Sequence, residues 1–114
     1  MQTSILHEQD IRVKWLRAYD IWLNMRRRFV KRHKLVIPLR NKEFALLEFF
    51  IINRGKIVTR DDILEHVWDR NGNFASNTVD VHINRLRRKL DRPFPEKLIH
   101  TIHCVGYRFE KVKL

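Results

Sequence analysis

The chain has 114 residues, of which 44% are hydrophobic and 11% aromatic, so it is long and apolar enough to fold as one domain around a packed core. It contains 24 lysines and arginines against 13 acidic residues, which gives a formal net charge of +11 at pH 7. Such an excess predicts a polyanionic partner, either a nucleic acid or an anionic membrane surface.

Three further features limit the class of protein. The apolar run at residues 44–52 is interrupted by Glu48 and is too short to span a bilayer. The N-terminus has no basic segment followed by an apolar one, so no secretory signal is predicted. The single cysteine, Cys104, excludes an internal disulfide and is typical of a reducing compartment, so we expect the protein in the cytoplasm.

Residues 11–39 mainly alternate between apolar and polar side chains, which is the period of a half-buried strand. The pattern predicts three or four short antiparallel strands, with turns near residues 16–18 and 32–34. Pro38 is expected at a strand end or a sheet edge. The three arginines at 26–28 are interpreted as a solvated strand edge or turn, with a contact surface as the alternative.

Two helices are predicted in the centre of the chain. Residues 41–53 are apolar nearly all round the helix, which indicates burial on most sides. Thr59 is a good N-cap for a second helix, because Asp62 follows three residues later and acidic side chains favour the positive end of a helix. This helix is expected to bury Ile63, Leu64, Val67 and Trp68.

A third helix is predicted from Ser76 to Leu90. A narrow apolar stripe recurs on one face, formed by Val79, Ile83, Leu86 and Leu90. The tail at residues 98–109 returns to strand character, with Gly106 as the expected turn residue. The predicted fold is therefore α+β, a winged helix-turn-helix with N-terminal antiparallel strands, a three-helix core and a C-terminal β-hairpin wing.

The polar face of the third helix suits the major groove of DNA, which admits one helix and presents donors, acceptors and thymine methyls. Asn84 could bond an adenine edge and Val81 could touch a thymine methyl. Arg85 or Arg88 could contact guanine or phosphate, and the Thr78 hydroxyl suits a phosphate. A basic hairpin beside the helix could reach the adjacent minor groove.

Other functions fit parts of the same pattern. Many surface helices carry cations without binding DNA, so a partner-only structural module is one alternative, and a sequence-independent nucleic-acid-binding module is another. His100, His103 and Cys104 alternate along one strand and do not converge on a metal, so no metal site or cofactor is predicted. The acids at 61 and 62 are explained by helix capping, and no catalytic motif is present, so no enzyme is predicted.

Several motifs resemble, in order, the OmpR/PhoB-type winged-helix effector domain of bacterial two-component response regulators. The similarity covers about residues 11–110, and the Pro93–Thr101 segment is most similar to the heavy-metal, copper-type branch. The motifs are Leu39-Arg40-Asn41-Lys42-Glu43-Phe44-Ala45-Leu46-Leu47, Gly55-Lys56-Ile57-Val58-Thr59-Arg60, Asn77-Thr78-Val79-Asp80-Val81-His82-Ile83-Asn84-Arg85-Leu86-Arg87 and Gly106-Tyr107-Arg108-Phe109.

The resemblance implies a four-stranded N-terminal sheet, with residues 1–10 as a linker and 11–114 as the winged-helix domain. It implies double-stranded DNA with tandem half-sites as the partner, a homodimer on that DNA, and an upstream receiver domain served by a sensor kinase. It also implies a loop that contacts RNA polymerase, formed by Asp69, Arg70, Asn71, Gly72 and Asn73.

Some positions depart from the family pattern. Arg40 and Asn41 replace Thr-Pro, so Asn41 is the expected substitute cap, and Asn77 replaces a phosphate-binding arginine. His103 and Cys104 replace Arg-Gly at the wing, which leaves Gly106 to supply positive φ and makes minor-groove contact depend on the charge of His103. The predicted DNA-binding residues are Asn77, Thr78, Val81, Asn84, Arg85, Arg87, Arg88, His103 and Tyr107.

Overall fold

The computed structural model describes residues 15–68 and 74–112. Four short strands form an antiparallel sheet in the order β1-β2-β3-β4. They are β1 (Trp15–Ala18), β2 (Ile21–Asn24), β3 (Phe29–Arg32) and β4 (Leu35–Ile37). The predicted sheet is confirmed within these bounds, and Pro38 follows the end of β4 as expected. The predicted linker at residues 1–10 lies outside the described part of the chain.

One predicted turn of this sheet is wrong and another is confirmed. The first hairpin turns at Tyr19 and Asp20 and not at residues 16–18, which belong to β1. Tyr19 adopts a positive φ of 59°, a conformation that the apolar–polar pattern does not reveal. The turn at His33 and Lys34 is confirmed, with φ of 51° and 69°. The arginines at 26–28 lie in the exposed turn between β2 and β3.

Helix α1 (Asn41–Ile52) packs beneath this sheet, with Phe44, Leu46, Leu47 and Phe50 buried. The expected cap at Asn41 is wrong, because Arg40 occupies the N-cap position. The carboxylate of Glu43 accepts a 3.0 Å hydrogen bond from the Arg40 backbone N–H. A buried acid in the first turn therefore satisfies one of the N–H groups left at the start of the helix.

Helix α2 (Arg60–Val67) begins with the predicted capping box, which is confirmed. The Thr59 hydroxyl accepts from the Asp62 N–H, and the Asp62 carboxylate accepts from the Thr59 N–H, both at 3.0 Å. These backbone and hydroxyl contacts lower the pKa of Asp62. Ile63 is fully buried and Trp68 nearly so, whereas Leu64 and Val67 are partly buried against the core.

Helix α3 (Thr78–Leu90) begins two residues later than predicted, with Asn77 at the N-cap position. The predicted apolar stripe is confirmed, since Val79, Ile83, Leu86 and Leu90 are all buried. The helix ends at Leu90, with Asp91 at the C-cap position, ahead of the prolines at 93 and 95. Among the described residues, no helix has the length and apolar character needed to cross a bilayer.

The C-terminal hairpin consists of β6 (Ile99–Ile102) and β7 (Gly106–Phe109). A short strand that the sequence did not predict, β5 (Ile57–Thr59), pairs with β7 to make a three-stranded sheet in the order β5-β7-β6. The hairpin is thereby attached to the segment that leads into α2.

The role predicted for Gly106 is wrong. Cys104 supplies the positive φ of the hairpin turn, at 62°, whereas Gly106 lies in β7 without a positive φ. A Cβ on Gly106 would lie 2.1 Å from the Val58 carbonyl oxygen. Glycine is therefore required there because β5 approaches closely, and not because the chain turns.

Candidate nucleic-acid interface

The polar face of helix α3 is exposed to solvent because the apolar stripe on the opposite face is buried in the core. Asn84, Arg85 and Arg88 are exposed, and Val81 is half-buried at the edge of the same face. The helix therefore offers an amide, two guanidinium groups and a branched apolar side chain on one surface. Donors, cations and methyl groups are the chemistry that the edges of base pairs and phosphates recognise.

The N-terminal end of α3 adds two polar side chains to this surface. Asn77 is exposed and its side chain makes no capping hydrogen bond, while Thr78 is half-buried. The His82 ring hydrogen-bonds the Thr78 carbonyl oxygen at 2.8 Å and packs edge-on against Trp68. The His82 side chain therefore packs against the protein, whereas Asn77 is exposed at the N-terminal end of the helix.

The tip of the wing is formed by residues 103–105, all of which are exposed. His103 lies at the start of this turn, beside the free thiol of Cys104. The predicted wing position of His103 thus agrees with the fold. His100 lies on β6, which leads into this turn, and its Nε2 is 2.8 Å from the Glu110 carbonyl oxygen. No group of three potential metal ligands occurs within the described ranges.

Tyr107 does not extend into the solvent around the helix and the wing. It is only 3% exposed, and its hydroxyl donates to the carboxylate of Asp80 on α3. Burial, reinforced by the Asp80 contact, raises the pKa of Tyr107. Tyr107 is therefore buried against α3 and not exposed on the surface beside it, and its contact with DNA stays a prediction.

Arg87 is half-buried and hydrogen-bonds other parts of the protein. Its Nη2 donates to the Thr101 hydroxyl at 2.6 Å and its Nε to the Ile99 carbonyl at 3.2 Å, which attaches α3 to β6. The third contact, from Nη1 to the Oδ1 of Asn84, is 3.4 Å long. Arg87 therefore lies between the two surfaces that were predicted to contact DNA.

A charged pair between helices stabilises the base of this surface. Asp80 receives a 2.9 Å hydrogen bond from Arg60 at the start of α2. That hydrogen bond, together with Coulomb attraction to Asp80, raises the pKa of Arg60. Neither Arg60 nor Asp80 was singled out from the sequence, because the ion pair joins residues twenty positions apart.

The remaining predicted site, the loop of Asp69, Arg70, Asn71, Gly72 and Asn73, lies outside the described residues. Arg87 joins α3 to β6, and the pairing of β5 with β7 joins the hairpin to the segment that leads into α2. Of the nine predicted DNA-binding residues, seven are exposed or half-exposed without the inward contacts that hold Arg87 and Tyr107.

Comparison with known proteins shows which family the chain belongs to. Residues 33–109 match the model described as transcriptional regulatory protein, C terminal. CusR of Escherichia coli K12 is 42% identical over 91 residues, which are 80% of this chain and 40% of CusR. HprR of the same strain is 48% identical over 84 residues, 74% of this chain and 38% of HprR. The chain thus spans well under half the length of these relatives.

Solved structures place the fold in the same group. DrrB of Thermotoga maritima, described as an OmpR/PhoB homologue, is 33% identical with a TM-score of 0.72 over 84% of this chain and 44% of DrrB. The chain belongs to the OmpR/PhoB-type DNA-binding effector domains of response regulators. The predicted family and winged-helix fold are confirmed, and the relatives also include the transcriptional regulatory protein PcoR of Escherichia coli, 40% identical over 80% of this chain and 40% of PcoR.

Other OmpR/PhoB-type domains have been solved with DNA. The RstA DNA-binding domain of Klebsiella pneumoniae, in complex with the RstA box, is 27% identical with a TM-score of 0.73 over 85% of this chain and 97% of that domain. The AdeR DNA-binding domain, in complex with an intercistronic region, is 25% identical with a TM-score of 0.75 over 85% of this chain and 100% of that domain.

Proposed function

We propose that this OmpR/PhoB-type domain reads double-stranded DNA by inserting α3 into the major groove, with the β6–β7 hairpin beside it. The observation that carries this proposal is the division of α3 into a fully buried apolar stripe and an exposed face of amide and guanidinium groups. A major groove about 12 Å wide accepts a helix presented in this way.

The residues in the middle of the exposed face of α3 would recognise the bases. Asn84 has the donor and acceptor needed for an adenine edge, and Arg85 has the paired donors that suit guanine. Val81, half-buried beside them, supplies apolar contact for a thymine methyl. Val81 lies about one turn before Asn84 and Arg85 on the same helix, so these side chains would face neighbouring base pairs.

Phosphate contacts would fix the position of the helix on the duplex. Asn77 and Thr78 lie at the N-terminal end of α3, where free N–H groups and the helix dipole favour anions. Arg88 is exposed one turn beyond Asn84 and would add a cation. At the wing, His103 would contact a phosphate or the minor groove, and more strongly when it is protonated.

The greater length of the relatives suggests further domains and partners for this domain. Because the chain covers 40% of CusR, we infer that it works with an upstream receiver domain that a sensor kinase phosphorylates. The active form would be a homodimer on tandem half-sites in the cytoplasm, with residues 69–73 contacting RNA polymerase. The domain would act by binding and without catalysis.

A second candidate is sequence-independent nucleic-acid binding. The observation that favours it is the net charge of +11, which would attract any polyanion. The exposed Asn84 argues against it, because an amide contributes little to charge-driven binding and much to base selection.

The two candidates are separated by selecting binding sites from a randomised duplex pool, followed by anisotropy titrations at two salt concentrations. We expect a short repeated half-site to be enriched and bound about a thousandfold more tightly than random DNA. If no motif is enriched and binding is lost as salt rises, the domain binds DNA by charge alone and the proposed function is wrong.

A further inference from the structure

Arg87 makes more contacts within the protein than an arginine reserved for DNA would make. An arginine has five N–H donors. Arg87 directs Nε to the Ile99 carbonyl, Nη2 to the Thr101 hydroxyl and Nη1 to the Asn84 side chain. A direct phosphate contact would have to use the two remaining donors or break one of these bonds. The Arg87 guanidinium therefore joins helix α3 to strand β6.

The surface beneath Arg87 keeps it in this position. Its guanidinium lies 5.4 Å from the centre of the Tyr107 ring, and the guanidinium of Arg60 lies 5.5 Å from the same ring. The ring cannot turn away easily, because its hydroxyl donates to Asp80 and the residue is almost fully buried. Contact with a buried aromatic ring favours this position of the Arg87 guanidinium.

The contact with Asn84 determines how its amide faces the groove. The Oδ1 of Asn84 lies towards Arg87 at 3.4 Å, so its Nδ2 is the end left to donate outward. An unrestrained amide can rotate by 180° and exchange its donor with its acceptor. A neighbouring guanidinium, which can only donate, opposes the reversed orientation. Arg87 thereby favours one of the two hydrogen-bonding patterns that Asn84 can offer.

We propose that Arg87 is a positioning residue for DNA readout, which attaches the wing to α3 through Ile99 and Thr101 and fixes the donor end of Asn84. This inference rests on the proposed function and assigns Arg87 a role different from a direct contact. Base selection by Asn84 then depends on a side chain that itself reads no base. Thr101 becomes part of the same arrangement although it lies on the wing strand.

Two substitutions separate positioning from direct contact. Arg87→Lys keeps the charge but cannot form the same three bonds, and Thr101→Val removes the hydroxyl acceptor without changing any charge. For each variant we would repeat the site selection, then measure affinity for the selected site and its single-base variants at two salt concentrations. Urea unfolding of the same samples reports the stability of the fold.

We expect Arg87→Lys to lower discrimination at the base pair read by Asn84 by about tenfold, with the salt dependence of binding unchanged. Thr101→Val should reduce discrimination in the same direction by a smaller factor, and Thr101→Ser, which retains the hydroxyl, should restore it. A purely structural role would lower stability and leave base preference intact, which would overturn the inference.

Direct phosphate contact gives a different result. Arg87→Lys would then keep both affinity and base preference, and Arg87→Ala would weaken all sequences equally and lower the salt slope by about one. That outcome would also overturn the positioning role. If the unmodified domain selects a motif that Arg87→Lys and Thr101→Val leave unchanged, only this inference fails. If the unmodified domain selects no motif, the proposed function is the part that fails.

Discussion

At the scale of single residues, neighbouring arginines of α3 have different surroundings. Arg85 and Arg88 are exposed to solvent, whereas Arg87, between them in the sequence, bonds the wing strand. The difference follows from helical geometry, because successive residues point about 100° apart. Adjacent arginines in one basic run therefore need not share a function.

The separate tasks of base reading and charge attraction can be tested with Asn84→Ala and Arg88→Ala. We expect Asn84→Ala to relax selection at one base pair by about 1–3 kcal/mol, because a paired base contact is lost. Arg88→Ala should weaken binding to all sequences alike and reduce the salt slope by about one. Anisotropy titrations with the selected site, its single-base variants and random duplex measure both effects. Equal losses on selected and random DNA for Asn84→Ala would contradict its assigned role.

At the scale of elements, α1 and α3 are joined through a buried carboxylate. Glu43, 2% exposed near the start of α1, accepts a 2.6 Å hydrogen bond from Lys89 in the last turn of α3. Burial by itself would raise the pKa of Glu43, but the hydrogen bonds from Lys89 and from the Arg40 backbone, together with Coulomb attraction, lower it below the ordinary value. The carboxylate is therefore held ionised at the junction of two helices.

This ion pair predicts a defined pH dependence of stability. A carboxyl group whose pKa is lowered on folding stabilises the fold above its unfolded pKa, and that contribution is lost as pH falls through the folded pKa. At neutral pH we expect Glu43→Gln to lower the free energy of unfolding by about 1–3 kcal/mol, since hydrogen bonds to a charged group are lost. The difference from the unmodified domain should shrink when the pH falls below about 4.

Urea unfolding curves at neutral and acidic pH measure this difference. Glu48→Gln, the same change at a partly exposed position of α1, is the matched control and should show little dependence of its effect on pH. A destabilisation by Glu43→Gln that stays constant across the pH range would mean that the charge of Glu43 does not stabilise the fold.

At the scale of the whole molecule, Arg32 connects the N-terminal sheet to the end of α3 and to the segment that leads into the wing. Its side chain is fully buried and donates to the Leu90 and Glu96 carbonyls, both at 2.6 Å. It also pairs with Asp91 at 3.3 Å. The Asp91 carboxylate in turn accepts from the Ile99 N–H at 2.9 Å, where β6 begins.

Removing this connection should destabilise the whole domain. We expect Arg32→Met to lower the free energy of unfolding by about 3–5 kcal/mol, because Asp91 would be left as a buried charge without its cation. Lys31→Met, at the neighbouring exposed position of β3, should change it by only about 0.5 kcal/mol. Urea unfolding of both variants measures the contrast, and similar losses for the two would show that burial of Arg32 is not the cause.

The sequence alone determined the elements that follow local rules. The apolar stripe of α3 and the Thr59–Asp62 capping box were predicted correctly, since both depend on residues a few positions apart. The exposed Asn84, Arg85 and Arg88 followed from the same helical period. Periodicity thus predicted which face of α3 is exposed, and the contact of that face with DNA stays a prediction.

Only the tertiary structure decided which nearby side chains face inward. The three-residue strand β5 carries too short a pattern to be recognised, and its pairing with β7 is what requires glycine at 106. The inward contacts of Arg87 and Tyr107 likewise involve partners on other elements, with Thr101 fourteen residues from Arg87 and Asp80 twenty-seven from Tyr107. Periodicity describes which face of an element is buried, whereas the partner of a buried polar group is set by the packing of distant segments.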